Sequence, residues 1–290
     1  MAVNVSEAVD GAPLGRFHVK LFLLCSLMVT LDGFDLSGFS FVVGDLTKAL
    51  GIERAAMGPV LSAGLFGLTL GAFTFGLVGD RIGPKRTFVL CGVIFGAFTL
   101  AITTVSSLTG LMVCRALAGW GLGGATPLSV AIISDFFPKR MRTAVVIVMY
   151  TSLTLGGLAG GFVYADFTLF GWRSIFVVGG VLPILAAPLF LAFLPERLEH
   201  LVMHGAASER IAALLRAVDP RRDLAGAATF VMDRANKASF QPAQLFQDGR
   251  GVVTAVLWVV FFASLLSVYF FNSWLPGLLR GDGLSPTQVA

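Results

Sequence analysis

Residues 68–78, Leu-Thr-Leu-Gly-Ala-Phe-Thr-Phe-Gly-Leu-Val, return 85 positions later as residues 153–163, Leu-Thr-Leu-Gly-Gly-Leu-Ala-Gly-Gly-Phe-Val, with six identities in eleven positions. The copies lie in the second and fifth of seven apolar runs, three runs apart, so they would cross a membrane in opposite directions. This pattern predicts an inverted three-plus-three repeat of helices, an arrangement that many transporters use with the binding site at the midplane. Chance similarity between two Gly-rich apolar stretches is the alternative.

The composition of the whole chain favours lipid as its solvent. Of 290 residues, 56% are hydrophobic and 13% are charged, whereas soluble domains carry about 25% charged residues. A membrane-spanning helix needs about 20 mostly apolar residues. Seven runs meet that length: Phe17–Val43, Gly58–Gly79, Thr87–Ser106, Leu108–Ser134, Thr143–Ala165, Ser174–Leu194 and Gly251–Leu279. The sequence therefore predicts an all-α integral membrane protein.

The distribution of basic residues predicts the orientation of these spans. With the N-terminus inside, sixteen of the 21 lysine and arginine residues fall in cytoplasmic segments, as the positive-inside rule requires. We therefore expect a multi-pass protein of the cell inner membrane with a cytoplasmic N-terminus. The basic residues form no continuous patch, so nucleic acid is not an expected partner.

Three segments follow from this reading: a six-helix bundle over 1–194, a cytoplasmic connection over 195–249, and a seventh span over 250–290 that would begin a second half. The connection is predicted to hold an amphipathic helix, capped by Ser208 and ended by Pro220, that lies on the membrane surface or against the helix ends. His200 and His204 are spaced for a metal but lack a third ligand, so a solvated helix face is favoured. The three cysteines lie far apart, and no metal or cofactor is predicted.

Three charged residues lie deep inside the predicted spans, away from their ends. Asp32 and Asp35 share one face of the first span, and Arg115 lies at a similar depth in the fourth. Each charge near the bilayer centre costs about 2.5–3.5 kcal/mol on insertion scales, so such residues face the bundle interior and mark a path for substrate or protons. A static Asp35–Arg115 ion pair is the alternative, but it leaves one acid without a partner. The residues themselves thus predict an anion-binding cation beside a titratable acid.

The loop after the second span reads Gly76-Leu-Val-Gly-Asp-Arg-Ile-Gly-Pro-Lys-Arg86. It resembles the signature Gly-x-x-x-Asp-Arg-x-Gly-Arg-Arg/Lys of the major facilitator superfamily, with Pro84 where a basic residue is usual. The resemblance implies the N-terminal half of the major facilitator fold and a conformational gating role for this motif. The residues that would carry that role are Gly76, Asp80, Arg81, Gly83, Lys85, Arg86, Asp135 and Arg142.

Three further segments resemble the aromatic acid:proton symporter family within that superfamily: Asp32-Gly-Phe-Asp35, the stretch from Gly121 to Arg142, and Ser267-Val-Tyr-Phe-Phe-Asn-Ser-Trp-Leu-Pro276. Leu128 and Asp135 depart from the residues common at their positions. The resemblance implies proton coupling by Asp32 and Asp35. It implies substrate binding by Arg115, Asp35, Tyr269, Asn272 and Trp274.

The sequence therefore predicts a proton-coupled symporter that imports a small aromatic carboxylate, with a small organic anion, protons and the bilayer as partners and a monomeric state. A porter of another solute, such as a sugar, an aliphatic acid or a drug, is the alternative. An intramembrane aspartyl protease is disfavoured because both acids lie on one helix, and a non-transporting receptor is a further option. Family members have twelve spans, so the chain is expected to be a C-terminally truncated member that does not transport alone.

Overall fold

The computed structural model describes residues 2–166, 171–221, 229–231, 245–247, 249–273, 275 and 279. Helices dominate this part of the chain. They are α1 (Val5–Asp10), α2 (Arg16–Leu50), α3 (Met57–Ile82), α4 (Pro84–Ala101), α5 (Leu108–Phe136), α6 (Lys139–Asp166), α7 (Arg173–Phe193), α8 (Leu198–Met203), α9 (Ser208–Val218) and α10 (Gly251–Ser273). Short 3₁₀ turns at Arg54–Ala56 and Ile102–Thr104 adjoin α3 and α4.

Over the described residues, most of each predicted span lies on one of these helices. Among the described residues, six helices are long and apolar enough to cross a membrane, namely α3, α4, α5, α6, α7 and α10. The first predicted span lies within α2, which is not among those six. With 35 residues, α2 rises about 52 Å at 1.5 Å per residue and therefore extends well beyond the roughly 30 Å of hydrocarbon in a bilayer.

The helices pair in a symmetrical pattern. The most extensive packing joins α3 to α5, α2 to α6, α4 to α5, and α4 to α7. If α2, α3 and α4 are exchanged with α5, α6 and α7, respectively, the α2–α6 pair becomes the α5–α3 pair. The α4–α7 pair becomes the α7–α4 pair and is therefore unchanged. The α4–α5 pair departs from this pattern, because its counterpart under the same exchange, the α7–α2 pair, is much less extensive. The α3–α5, α2–α6 and α4–α7 pairs follow the symmetry expected of the inverted three-plus-three repeat predicted from residues 68–78 and 153–163.

Glycines let the paired backbones touch. On the α3–α5 pair they are Gly67, Gly71, Gly119 and Gly123, and on the α2–α6 pair they are Gly33 and Gly156. At each, a Cβ atom would overlap a backbone carbonyl of the partner helix. A Cβ at Gly33 would overlap the carbonyl group of Leu153, and one at Gly156 would overlap the carbonyl oxygen of Thr30. Without a hydrophobic driving force in lipid, such close backbone packing is what holds helices together.

A layer of short elements covers the end of the bundle at which α2 begins. We call this the end layer; it comprises residues 2–12, 195–218 and 229–231. Strand β1 (Ala2–Asn4) pairs in parallel with β2 (Thr229–Val231), and α9 packs on α1 and α2. Val5, Ile211 and Leu215 are buried in the core of the bundle's end. The end layer thus extends the hydrophobic core beyond the membrane helices.

The position of α9 agrees with the predicted amphipathic helix, and its apolar face is buried against other helices. The predicted cap is wrong, however. The helix begins at Ser208 itself, and Ala207, whose side chain cannot accept a hydrogen bond, occupies the N-cap position. The helix ends at Val218, two residues before Pro220, because proline disfavours the helical conformation of the residue before it. The two short strands were not predicted, since three residues are too few to show an alternating pattern.

Candidate functional site: a charged cavity between the helices

A buried ion pair joins α2 to α5 in the middle of the bundle. Nη1 of Arg115 donates hydrogen bonds to both carboxylate oxygens of Asp35, at 2.9 and 2.8 Å. The Arg115 and Asp35 side chains are 8% and 7% exposed. Cζ of Arg115 lies 4.4 Å from the centre of the Phe39 ring, an arrangement typical of a cation–π contact. Phe39 lies one turn along α2 from Asp35. The predicted approach of Asp35 and Arg115 is therefore present.

Part of the guanidinium remains available. Nε of Arg115 is buried and has no hydrogen-bond partner among the described residues. A buried donor without a partner costs about 1–3 kcal/mol. Arginine usually binds a carboxylate through two parallel N–H···O hydrogen bonds. Because a single Nη atom makes both hydrogen bonds to Asp35, this contact does not occupy all of the N–H groups of Arg115.

Asp32 has a different environment, although it lies three residues from Asp35 on the same helix. Its Oδ2 accepts a hydrogen bond from Oγ1 of Thr126 on α5 at 3.5 Å. It makes no ion pair with any residue in the described ranges. Thr126 precedes Pro127, a proline inside α5. Because proline has no backbone N–H, the carbonyl of Gly123 lacks its usual helical donor. Asp32 therefore lies beside a polar and locally weakened part of α5.

All three charged side chains line one cavity of about 670 Å³. Its remaining wall is mainly apolar, with Leu61, Leu65, Leu68 and Leu122 among the lining residues. Tyr150 of α6 and Tyr269 of α10 also line it. Of the predicted substrate-binding residues, Arg115, Asp35 and Tyr269 are thus brought together, whereas the Asn272 side chain and the whole of Trp274 lie outside the described residues.

The predicted gating motif forms the turn between α3 and α4. Gly83 has a φ of +95°, a conformation that favours glycine, and Pro84 is the first residue of α4, where its missing N–H is harmless. The Glu196 carboxylate binds this turn: its Oε1 accepts a hydrogen bond from the Lys85 backbone N–H at 3.2 Å. A Cβ atom at Gly83 would lie only 3.1 Å from Glu196 Oε2. Within the described residues, the side chains of Asp80, Arg81 and Arg86 make no ion pair.

The other two predicted motif residues, Asp135 and Arg142, do not pair with each other. Asp135 accepts two hydrogen bonds from Arg197, each 2.9 Å long. Arg142 donates to the carbonyl oxygen of Phe137 at 2.8 Å and lies 3.6 Å from Asp10 in the end layer. Both residues therefore tie the ends of α5 and α6 to the end layer.

Comparison with known proteins assigns the family. The sequence profile of the Major Facilitator Superfamily matches residues 25–290, most of the chain. The chain belongs to the major facilitator superfamily. The motif at Gly76–Arg86, the paired helices and the central cavity are thus features of a major facilitator chain.

Two relatives of this major facilitator chain come from Pseudomonas putida. The 4-hydroxybenzoate transporter PcaK is 35% identical over 291 residues, 100% of this chain and 65% of the relative. The gallate transporter is 34% identical over 290 residues, 99% of this chain and 64% of the relative. The chain therefore spans about two thirds of the length of the curated relatives it matches. Both relatives are named as transporters, which confirms the prediction that the chain is not an enzyme.

Solved structures show the same fold. The xylose transporter XylE from E. coli, in a partially occluded inward-open conformation, matches with a TM-score of 0.71 at 18% identity. The match covers 94% of this chain and 69% of XylE. The predicted major facilitator fold is confirmed.

Several residues of the site and its support were not predicted from the sequence. Thr126 and Tyr150 in the cavity carry no charge, so hydropathy gives no signal for them. Arg197 was counted only as a loop charge and Glu196 was not considered, although both closely follow the sixth span. A charged pair at that position, close to the end of a helix, is the signal that could have found them.

The contacts of Arg197 predict a measurable effect on stability. Burial alone would lower the pKa of its guanidinium, but the hydrogen bonds and charges of Asp135 and Glu199 raise that pKa overall. Replacing Arg197 by alanine leaves Asp135 without its two donors, and we expect a loss of about 1–3 kcal/mol. A lower melting temperature of the purified full-length protein would measure it. Arg210→Ala, at an exposed position of α9, is the control, and equal melting of the two variants would contradict the expectation.

Proposed function

We propose that the full-length protein is a proton-coupled symporter that imports a small aromatic carboxylate across the cell inner membrane. The observation that carries this proposal is the cavity that joins the buried Arg115–Asp35 pair to a second acid, Asp32. Charges in a membrane helix are rare and mark substrate and proton paths. The names of the relatives, which transport 4-hydroxybenzoate and gallate, support an aromatic acid as the substrate.

The ion pair supports binding of an anion together with a proton. A substrate carboxylate that approaches Arg115 competes with Asp35 for the guanidinium. Protonation of Asp35 removes this competition, and the free Nε of Arg115 is then a second donor for the incoming carboxylate. Because arginine keeps its charge, the protonation state of the acid decides whether the anion binds.

Asp32 supports a second proton-binding position. It has a hydroxyl neighbour in Thr126 and no cationic partner within the described part of the cavity. A carboxyl group in that setting exchanges a proton without breaking an ion pair. A proton that moves inward releases about 2.3 kcal/mol per 100 mV of membrane potential, and moving a monovalent anion inward costs the same amount. A second proton at Asp32 would therefore let the membrane potential drive accumulation of the anion.

The cavity wall supports an aromatic substrate. The leucines provide an apolar surface for a planar ring, and about 670 Å³ falls within the 300–1,000 Å³ typical of small-molecule sites. A sugar would need many hydrogen-bonding side chains, and the described wall has few besides Ser62, Thr126 and the two tyrosines.

We further propose that the N-terminus is cytoplasmic and that the protein acts as a monomer. In this arrangement residues 1–194 form the first half, residues 195–249 the cytoplasmic connection, and residues 250–290 the start of the second half. The motif residues Asp80, Arg81, Lys85 and Arg86 would then lie on the cytoplasmic side and hold the closed state of that side.

The proposal predicts that Asp32→Asn or Asp35→Asn abolishes proton-driven uptake by the full-length protein, because each removes a proton-binding group from the cavity. The measurement is uptake of labelled 4-hydroxybenzoate by cells at an imposed pH gradient. Asp45→Asn removes the same charge from the same helix outside the cavity and serves as the control. Uptake at the control rate by both cavity variants would refute the coupling.

Competition experiments test the substrate class separately. Excess benzoate or gallate is expected to suppress uptake, whereas excess xylose or succinate is not. Suppression by the sugar or the aliphatic acid would favour a porter of another solute. Ligand binding without any uptake would favour a receptor.

A further inference from the structure

A second hollow, of about 290 Å³, lies where α2 and α6 begin. We call it the lateral groove; its lining includes Leu14, Val19, Phe22, Met141, Ala144 and Val148. His18 is the single polar residue among its lining, and its ring is already engaged: Nδ1 accepts from the Gly15 backbone N–H at 3.2 Å and Nε2 bonds to the Phe136 carbonyl oxygen at 3.1 Å. The lateral groove therefore offers an incoming ligand an apolar surface.

The lateral groove faces away from the charged cavity. Val148 lines the groove and Tyr150 lines the cavity; two residues correspond to about 200° of helix rotation, so they lie on nearly opposite faces of α6. Val19 and Val148 are 59% and 53% exposed. In a protein that crosses the membrane, a surface of this kind at a helix end contacts acyl chains.

Two exposed arginines lie at the starts of α2 and α6, close in sequence to residues that line the groove. Arg16 is two residues after Leu14, and Arg140 lies one helical turn before Ala144. Both are exposed, and their side chains make no hydrogen bond or ion pair within the described part of the chain. The neighbouring Lys139 and Arg142 differ, because both pair with Asp10. Near the groove, α2 and α6 thus each present an arginine that has no acidic partner among the described residues.

We propose that the lateral groove is a binding site for an anionic phospholipid of the leaflet in which α2 begins. One acyl chain would lie in the groove, and the phosphate would bind Arg16 and Arg140. Arginine matches phosphate oxygens with two parallel hydrogen bonds, and basic pockets between membrane helices bind anionic head groups. This site is separate from the transport cavity and does not depend on the identity of the transported solute.

Photo-crosslinking of the full-length protein in nanodiscs tests the site. The probe is phosphatidylglycerol with a diazirine in its acyl chain, and phosphatidylcholine with the same label is the comparison lipid. We expect phosphatidylglycerol to label residues 14–22 and 137–148 preferentially. Ala144→Phe, which fills the groove, is expected to reduce labelling there. Even labelling around the bundle by both lipids would show general bilayer contact and overturn the proposal.

Charge removal tests the head-group contacts. Arg16→Gln combined with Arg140→Gln is expected to weaken phosphatidylglycerol retention, measured by native mass spectrometry, about 30-fold, since each basic residue near an anionic lipid contributes about fivefold. Arg210→Gln combined with Arg221→Gln removes the same charge from exposed positions of the connection and is the control. Equal retention by the two double variants, or occupation of the groove by a second copy of the protein, would overturn the assignment.

Discussion

Replacing Arg115 by alanine is expected to reduce uptake of an aromatic carboxylate by the full-length protein more than about 30-fold, because truncating one partner of a buried charged pair costs about 2–5 kcal/mol. Arg115 is the single basic side chain among the described residues that line the cavity, so no other group there replaces it. Arg115→Lys keeps the charge but not the planar set of donors, and we expect partial uptake at a raised KM. Initial rates over a range of substrate concentrations measure both variants.

Stability must be separated from function in this experiment. Arg115→Ala leaves the Asp35 carboxylate buried without its partner, which costs about 3–5 kcal/mol. The double variant Arg115→Ala/Asp35→Asn removes both charges, so we expect its melting temperature to return toward that of the wild type while uptake stays absent. Wild-type uptake by this double variant would show that the pair is only a structural brace between α2 and α5.

Replacing Gly33 by alanine is expected to have the other large effect. A Cβ atom there would overlap the Leu153 carbonyl group, so α2 and α6 must move apart. Overpacking of this kind costs about 1–3 kcal/mol. Because Gly33 lies between Asp32 and Asp35, the same movement shifts both acids relative to Arg115, and uptake should fall together with stability.

Gly44→Ala provides a matched control on the same helix, since a Cβ atom at Gly44 would meet nothing within 4 Å. The melting temperature and the uptake rate of the two variants are compared in the same lipid. Gly44→Ala is expected to match the wild type in both. If Gly33→Ala behaves like Gly44→Ala, the close approach of α2 and α6 does not position the acids.

The sequence predicted the membrane helices well because their signal is local. Long apolar runs bounded by charges indicate a span without any knowledge of its neighbours. The repeat of residues 68–78 at 153–163 also predicted which triplets of helices are related. The partner of each helix was harder to predict, since it depends on which glycines meet which carbonyl groups, as at Gly67 and Ala116.

The candidate site was predicted in part for a similar reason. Asp32, Asp35 and Arg115 stand out in the sequence because charges are rare in lipid. Their similar depths in the predicted spans indicated that they lie close together. Which acid Arg115 contacts depends on side-chain rotamers and helix rotation, so sequence spacing alone could not decide between Asp32 and Asp35. Tyr150 was missed because an uncharged aromatic residue is ordinary in a membrane helix.

Apart from α9, which its amphipathic pattern predicted, the end layer could not be predicted. Its strands have three residues each, and α1 has six, which is too short for a periodic pattern. Its contacts join residues far apart in the sequence, such as Asp10 with Lys139 and Asp135 with Arg197. Tertiary packing, rather than local preference, decides these elements.

The pairing of β1 with β2 can form only late in the synthesis of the chain. Ala2 leaves the ribosome first, but its partner Thr229 is translated more than two hundred residues later, after α2 to α7 have been made. Domains fold from the N-terminus during synthesis at about 5–20 residues per second, so β1 and the apolar face of α1 wait at least several seconds without their partners. The first residues to be made are therefore among the last to reach their final place.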